Sequence, residues 1–401
     1  GPSCAIAHLK DGTMTVWTHS QGVYPLRKSL AELLRMPEDR VQCVHAEGSG
    51  CYGHNGADDA AADAALIARA MPGRPIRVQW MREQEHAWEP YGPAMSVDLK
   101  AALDGEGKVV EWTHDVWSNA HSTRPGGAGN LLAAWHLEAP LNQPVPRTIP
   151  LPEGGGDRNA IPYYKFANAR VVHHFIPSMP IRVSALRALG AHANVFAIES
   201  FIDELATAAG IDPVEFRLRH LDDPRARDVI ANVATRFDWS NYAAERGRGR
   251  GFAFARYKNL AAYLAVAIDV EVERESGHVK VLRVVAAIDS GQPVNPDGIR
   301  NQIEGGIVQS ASWTLYEAVS FDTNAITSTD WSSYPIARFP DVPGSVDVQV
   351  IERPGTPFLG TGEAAQGPTA AALANAIANA TGARLRELPL SRIRIKAAIG
   401  V

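Results

Sequence analysis

Glu363 is the residue of this 401-residue chain best placed to act as a base. It lies in the run Leu359-Gly360-Thr361-Gly362-Glu363-Ala364-Ala365-Gln366-Gly367-Pro368, ahead of an alanine-rich stretch expected to be helical over 369–380. A carboxylate on a tight loop beside a helix start can take a proton at the mouth of a site, and neighbouring glycines let a bulky group come close. The same position also suits a solvated loop acid or a helix-capping carboxylate. Arg187 is a lone positive charge in Ser184-Ala185-Leu186-Arg187-Ala188-Leu189-Gly190. A guanidinium there is costly unless it meets an anion. That anion is either negative charge developing on a substrate or a partner in a structural ion pair. In the loop 47–56, Gly48, Gly50 and Gly53 fit G-x-G-x-x-G, and Tyr52 and Gly53 lie where a bound ligand would be faced. Cys51 has no legible histidine partner and reads as a buried small thiol. His54, His173 and His174 lack metal-binding spacing and read as packing or hydrogen-bonding residues.

The elements around these residues follow from periodicity. An alternating strand over 41–45, the glycine loop, an alanine-rich helix over 57–71 and a second strand over 74–80 form one unit. Ahead of it stand two strands around Asp11-Gly12 and a helix over 25–34. A hairpin over 96–117 follows, then a Gly-, Pro-, Asn- and His-rich insertion, 119–162, which is either functional or solvated. A strand over 169–175, a helix over 195–209 and a helix over 214–220 capped by Asp212-Pro213 come next. Arg246-Gly247-Arg248-Gly249-Arg250-Gly251 reads as a flexible connector, which divides the chain into regions 1–245 and 246–401. Long strands over 262–273 and 278–288, a helix over 296–313 carrying Gln302, Glu304 and Gln309, and a strand over 346–352 complete the pattern.

Composition narrows the function. The formal net charge of -5 and the absence of dense Lys/Arg runs give no reason to expect nucleic acid. No apolar run approaches the roughly 20 residues of a membrane span. The three cysteines, Cys4, Cys43 and Cys51, include no C-x-x-C pair, which disfavours a structural zinc site or an iron–sulfur cluster on this chain. The opening at Gly1, with neither Met nor a signal pattern and a strand almost at once, suggests a processed, split or truncated chain.

Together, 48–56, 184–200, 291–309 and 360–368 resemble the molybdenum-binding subunit of the xanthine dehydrogenase/aldehyde oxidoreductase family, closest to its isoquinoline 1-oxidoreductase and nicotinate dehydrogenase branch. The likeness runs, with loops, across nearly the whole chain. It implies an α+β (mixed α/β) fold of molybdopterin-binding domains, incomplete without a partner segment. Region 1–245 would carry the glycine loop 48–56 and the insertion 119–162, and region 246–401 the glycine loop 360–368. It implies that water-derived oxygen is added to an N-heteroaromatic or aldehyde substrate with Glu363 as base. Arg187 matches a position used for substrate charge. Gly50, Cys51, Tyr52, Gly53, Arg187, Gln302, Gly362 and Glu363 would bind the cofactor, although the family commonly has Phe where this chain has Tyr52. The cofactor implied is molybdopterin cytosine dinucleotide, its molybdenum held by the pterin dithiolene rather than by a side chain. The family's M-G-Q-G motif is absent, so another chain or segment should carry the N-terminal half of the molybdenum subunit. A partner with [2Fe-2S] clusters, and a cytochrome or flavin acceptor beyond it, would take the electrons. The compartment stays open between a bacterial cytoplasm and a periplasmic or membrane-associated site reached through a partner.

Two other readings remain. An NAD-dependent dehydrogenase would use Gly48–Gly53 with Glu83 or Glu85 on the ribose, although the acid lies about 30 residues on rather than the usual ~20. A non-catalytic assembly subunit with a degenerate site is the third, which the presence of Glu363 disfavours.

Overall fold

The computed structural model describes residues 2–242 and 245–401. Its first strands, β1 (Cys4–Lys10) and β2 (Thr13–Thr18), alternate in burial and place Ala5, Ala7, Met14 and Val16 in a core. They turn at Asp11 and Gly12, both at positive φ (48° and 74°), a backbone that Asp-Gly accepts. β3 (Val41–His45) pairs parallel with β2 and β4 (Pro75–Gln79) antiparallel with β1, giving the order β3-β2-β1-β4. Helices Val23–Leu34 and Ala57–Ala70 pack on this sheet. The buried methyls of Ala60, Ala61, Ala64, Ala65 and Ala68 let the second helix lie close to it.

This topology overturns the dehydrogenase alternative. β3 and β4 flank the glycine loop and its helix, yet they stand at opposite edges with the β1–β2 hairpin between them. A dinucleotide unit needs those strands adjacent and parallel. Glu83 and Glu85 lie on a helix, Arg82–Trp88, and the buried Glu85 accepts from the backbone N and Oγ of Ser3, both at 2.7 Å.

The second sheet joins the hairpin β5 (Met95–Leu103) and β6 (Val109–Ser118) to β7 (Asn168–Phe175), parallel to β6. The third has β8 (Arg248–Arg256), β9 (Tyr263–Glu273) and β10 (His278–Asp289) as an antiparallel meander, with β11 (Val346–Ile351) parallel to β10. Helix Gln366–Thr381 packs on β8 and β9, and helix Pro224–Phe237 on β9 and β10. The unbroken burial of Tyr263 to Ile268 in β9 fits a strand covered on both faces. One apolar core draws Ile198, Phe216 and Ile230 together with Phe252, Phe254 and Val285, from both sides of 245/246.

The connector expected at 246–251 is a strand for most of its length; the preceding residues 243–244 lie outside the described ones. A Cβ on Gly249 would lie 2.3 Å from the carbonyl oxygen of Ala376, and one on Gly251 2.0 Å from that of Ala372, so both glycines serve close helix–strand packing. Two helices start earlier than periodicity predicts, at Ala191 and at Gln366. Pro368 is accommodated in the first turn, where no i−4 partner is needed. The insertion 119–162 holds only the short turns Ala128–Asn130 and Leu132–Trp135, but its end, 154–160, is buried apart from Asp157. No described helix is long and apolar enough to cross a membrane.

Candidate active site

The first glycine loop is held by backbone pairing with the Arg187 segment. Gly53 bridges to Leu186, His54 N donates to Ala185 O at 2.8 Å, and Arg187 N donates to Tyr52 O at 2.8 Å. A Cβ on Gly53 (φ 130°) would sit 2.2 Å from Ala185 O, so only glycine fits this approach. Beyond Arg187, Ala188 (φ 79°) and Leu189 (φ 52°) are consecutive non-glycine residues in the left-handed region. Such strain persists only where its surroundings enforce it. Here the enforcement comes from Gly190, whose N donates to Gly155 O at 3.1 Å, and whose Cβ, were there one, would fall 2.4 Å from Gly156 O.

The left-handed turn points the N–H of Ala188 at Glu363 Oε1, 2.9 Å away. The other carboxylate oxygen, Oε2, accepts from Tyr257 Oη at 2.6 Å. Tyr257 Oη in turn accepts from Arg158 Nη1 at 2.6 Å, which leaves that guanidinium nitrogen 3.9 Å from Glu363 Oε2. Burial, reinforced by the Glu363 charge, pushes the Tyr257 phenol well above its ordinary range, so it stays a donor. The Glu363 side chain itself is 34% exposed. It is oriented from behind and open in front.

Arg187 is buried, and it donates to carbonyls and amides of the protein itself. Nε donates to Gly362 O at 2.6 Å, Nη1 to Gln309 Oε1 at 3.1 Å, and Nη2 to Gln302 O and Oε1 at 3.2 and 3.0 Å. None of these acceptors is a carboxylate, so the structural-ion-pair option gives way to this web. Burial lowers the guanidinium from its usual value while Glu363 opposes that shift. Arg187 thereby ties the loop before Glu363 to helix Pro296–Leu315, whose N-cap is Asn295 with Pro296 in its first turn.

A cavity of about 1670 Å³ opens beside this web, lined by Gly50, Cys51, Tyr52, Arg187, Gln302 and Gln309 among others. That exceeds the roughly 300–1,000 Å³ of a small-ligand pocket, so it has room for more than a small substrate. Glu363 does not line it; Arg187 does, and its bond to Gly362 O joins the two.

The residues suit a flat, heteroatom-edged cofactor. Gly360 has no atom within 4 Å of its missing Cβ, and Gly362 only Gln302 Oε1 at 3.9 Å, which leaves an open face along the loop. The amides of Gln302 and Gln309 supply donors and acceptors, and the buried Gln366 Oε1 has no partner. Among the described residues no group of three or more His, Cys, Asp or Glu could hold a metal.

The expected residues therefore meet in one place: Tyr52 on Arg187, Gly53 on Leu186, Arg187 on Gln302 and Gly362, and Ala188 on Glu363. Gly50 and Cys51 join them on the cavity wall. His54 also lines the cavity, its ring paired with the buried Asp58 at 3.0 Å, whereas His174 stacks on Trp117 and bonds Asp115. Sequence reasoning missed Tyr257 and Arg158, and placed Gln309 on the helix over 296–313 without giving it a role. The one legible signal was Gly154-Gly155-Gly156-Asp157-Arg158-Asn159, a triple glycine that delivers a charged residue from an otherwise patternless insertion.

A family model described as a molybdopterin cofactor-binding domain matches residues 1–140 and 156–221, and a second of the same description matches 189–343. A nicotinate dehydrogenase subunit of Pseudomonas putida is 43% identical over 414 residues, covering 100% of this chain and 34% of its own length. The beta subunit of isoquinoline 1-oxidoreductase from Brevundimonas diminuta is 28% identical, covering 97% of this chain and 47% of itself. The chain thus spans a third to a half of the length of these relatives. Among solved structures, quinoline 2-oxidoreductase from Pseudomonas putida 86 superposes with a TM-score of 0.82 at 15% identity, over 100% of this chain and 74% of that one. Aldehyde oxidoreductase from Desulfovibrio gigas gives 0.81 at 16%, over 100% and 59%. At those identities the likeness is one of fold. The chain belongs to the molybdopterin cofactor-binding domain family of the molybdenum hydroxylases.

Proposed function

We propose that this chain forms part of a molybdenum hydroxylase acting on an N-heteroaromatic ring, with Glu363 as the general base. The observation that carries the base assignment is the arrangement at Glu363, fixed by Tyr257 and Ala188 N beside an open glycine face. When bound, the molybdenum–pterin group supplies the redox chemistry, accepting two electrons as water-derived oxygen is added to an electron-poor carbon. Glu363 takes up the proton released in that addition. Arg187 holds Gly362, Gln302 and Gln309 in register, and Gln302, Gly362 and the loop 50–53 would hold the cofactor. The heteroaromatic reading is favoured over an aldehyde by the 43% identity to the nicotinate dehydrogenase chain.

The finer expectations belong to the same proposal: the cytosine dinucleotide form of the cofactor, the remainder of the molybdenum subunit as one partner, and a [2Fe-2S] subunit as the electron outlet. Glu363→Gln in the assembled complex is the test. Turnover should fall by about 10²–10⁴-fold while molybdenum content is unchanged, and an unaltered rate would sink the base assignment. Acid release of CMP from the complex tests the dinucleotide.

A further inference from the structure

We propose that Tyr257, braced by Arg158, is a positioning residue that fixes the orientation of the Glu363 carboxylate. This rests on the reading of Glu363 as the base. A glutamate a third exposed has several side-chain torsions free, and a base works only when its lone pair is held in line with the proton it takes. The Tyr257 hydroxyl closes on Oε2 at 2.6 Å and cannot turn away, because Arg158 Nη1 donates to it from the other side at 2.6 Å. Arg158 is itself fixed by its own loop, Nε on Glu153 O at 2.8 Å and Nη2 on Gly154 O at 3.0 Å. The next residue ties that loop to the tyrosine's segment. Asn159 Oδ1 accepts from Lys258 N at 2.8 Å, and its Nδ2 donates to Arg256 O at 2.8 Å and Asn259 Oδ1 at 3.0 Å.

The backbone strain falls on the same frame. Of nine non-glycine residues at positive φ among the described ones, five are Asn159, Ala188, Leu189, Lys258 and Asn259. They abut Arg158, the Ala188 donor and Tyr257. Strain concentrated on three separate segments that converge on one carboxylate marks a geometry maintained against its backbone cost. A hydroxyl placed only for packing would need none of it.

Tyr257→Phe in the assembled, molybdenum-loaded complex tests this. Molybdenum content and KM should hold while kcat falls about 10- to 100-fold, the range for loss of a hydrogen-bond partner behind a functional group. Independently of turnover, the Glu363 carboxylate stretch, isolated as the infrared difference between carbon-13-glutamate-labelled wild type and Glu363→Gln, should shift or broaden. Arg158→Lys, which keeps a charge but loses the fork, should show the same changes in smaller degree, and it serves if Tyr257→Phe does not fold. If Glu363→Gln abolishes turnover but Tyr257→Phe leaves the rate and the infrared band in place, the positioning role is overturned and the base assignment stands. A lower kcat that comes with lost molybdenum and an unmoved band marks a structural role and also overturns it. If Glu363→Gln keeps its turnover, the base assignment fails, and the infrared band alone decides whether Tyr257 orients the carboxylate.

Discussion

Glu199 and Glu363 are surrounded by the same three kinds of donor, in different order. Glu199 Oε1 accepts from Tyr164 Oη at 2.6 Å, and Oε2 accepts from Phe254 N at 2.8 Å and directly from Arg217 Nε at 2.8 Å. Glu363 has Tyr257 Oη, the Ala188 N–H and, behind the tyrosine, Arg158 at 3.9 Å. Glu199 and Arg217 are fully buried, and their bonds link helices Ala191–Ala209 and Pro213–Arg219 to β8. A direct Arg–carboxylate pair in the dry interior satisfies both ions and keeps the carboxylate out of reach of solvent and ligand. Moving the guanidinium back by one hydroxyl keeps the carboxylate oriented and leaves it open to solvent. On the proposed reading the two regions differ in what the charge is for, structure at Glu199 and proton transfer at Glu363.

The largest contrast should come from the same substitution at both sites. Glu363→Gln should lower turnover by about 10²–10⁴-fold, the usual contribution of a positioned base, with a stability change within about 0.5 kcal/mol for a partly exposed side chain. Glu199→Gln should leave Arg217 buried without its main counter-charge and cost about 3–5 kcal/mol, read as a lower midpoint in thermal or denaturant unfolding. Equal stability losses at the two sites would break the comparison. A smaller pair sharpens it. Tyr164→Phe should cost about 1.5–3 kcal/mol, since it removes a hydrogen bond to a buried charge. Tyr257→Phe should cost less, because solvent reaches the Glu363 carboxylate.

The two regions were unequally legible in the sequence. Glu363 and Arg187 stood out because each is a charge in a run of small residues, a local anomaly that needs no fold to be seen. Gln302 was matched only through the family resemblance. Tyr257 and Arg158 are ordinary residues whose roles come from contacts 106 and 99 positions away along the chain, which no local window contains. Glu199 was passed over for the opposite reason: it sits in a strong helical pattern whose apolar face was the more conspicuous feature. Helix Pro224–Phe237 did carry a signal, since Asp223-Pro224 repeats the cap read at Asp212-Pro213 and Ala226, Val229, Ile230, Val233 and Phe237 recur at helical spacing. The glycine–arginine run nearby drew the reading toward a connector. Gly249 and Gly251 look like breaks locally, and only the helix packed on them shows why the strand needs them.

Acid should separate the regions by a finer margin. Burial holds His114 down to about 4 and His121 to about 3, with Arg158 adding to the shift at His121. Burial likewise holds His192 to about 4. The unfolded value is about 6.5, so the unfolded chain binds more protons between those pH values. The stability these neutral rings contribute is therefore fully present above pH 6.5 and is lost as pH falls toward 4, at no more than about 1.4 kcal/mol per pH unit for each ring. His121 lines the cavity and bonds Ser118 at 2.8 Å, and charging it places a second cation near Arg158. Burial also lowers His220, whose Nδ1 bonds Phe216 O at 2.8 Å at the 213–219 end, but three such rings stand at the Glu363 end, which should therefore loosen first. Hydrogen exchange corrected for intrinsic rates should lose protection over 154–160 and 188–192 at a higher pH than over 213–219 and 252–254. His121→Gln should move the first loss to lower pH and leave the second in place. A single shared midpoint, unmoved by that substitution, would make the two carboxylate sites one cooperative unit.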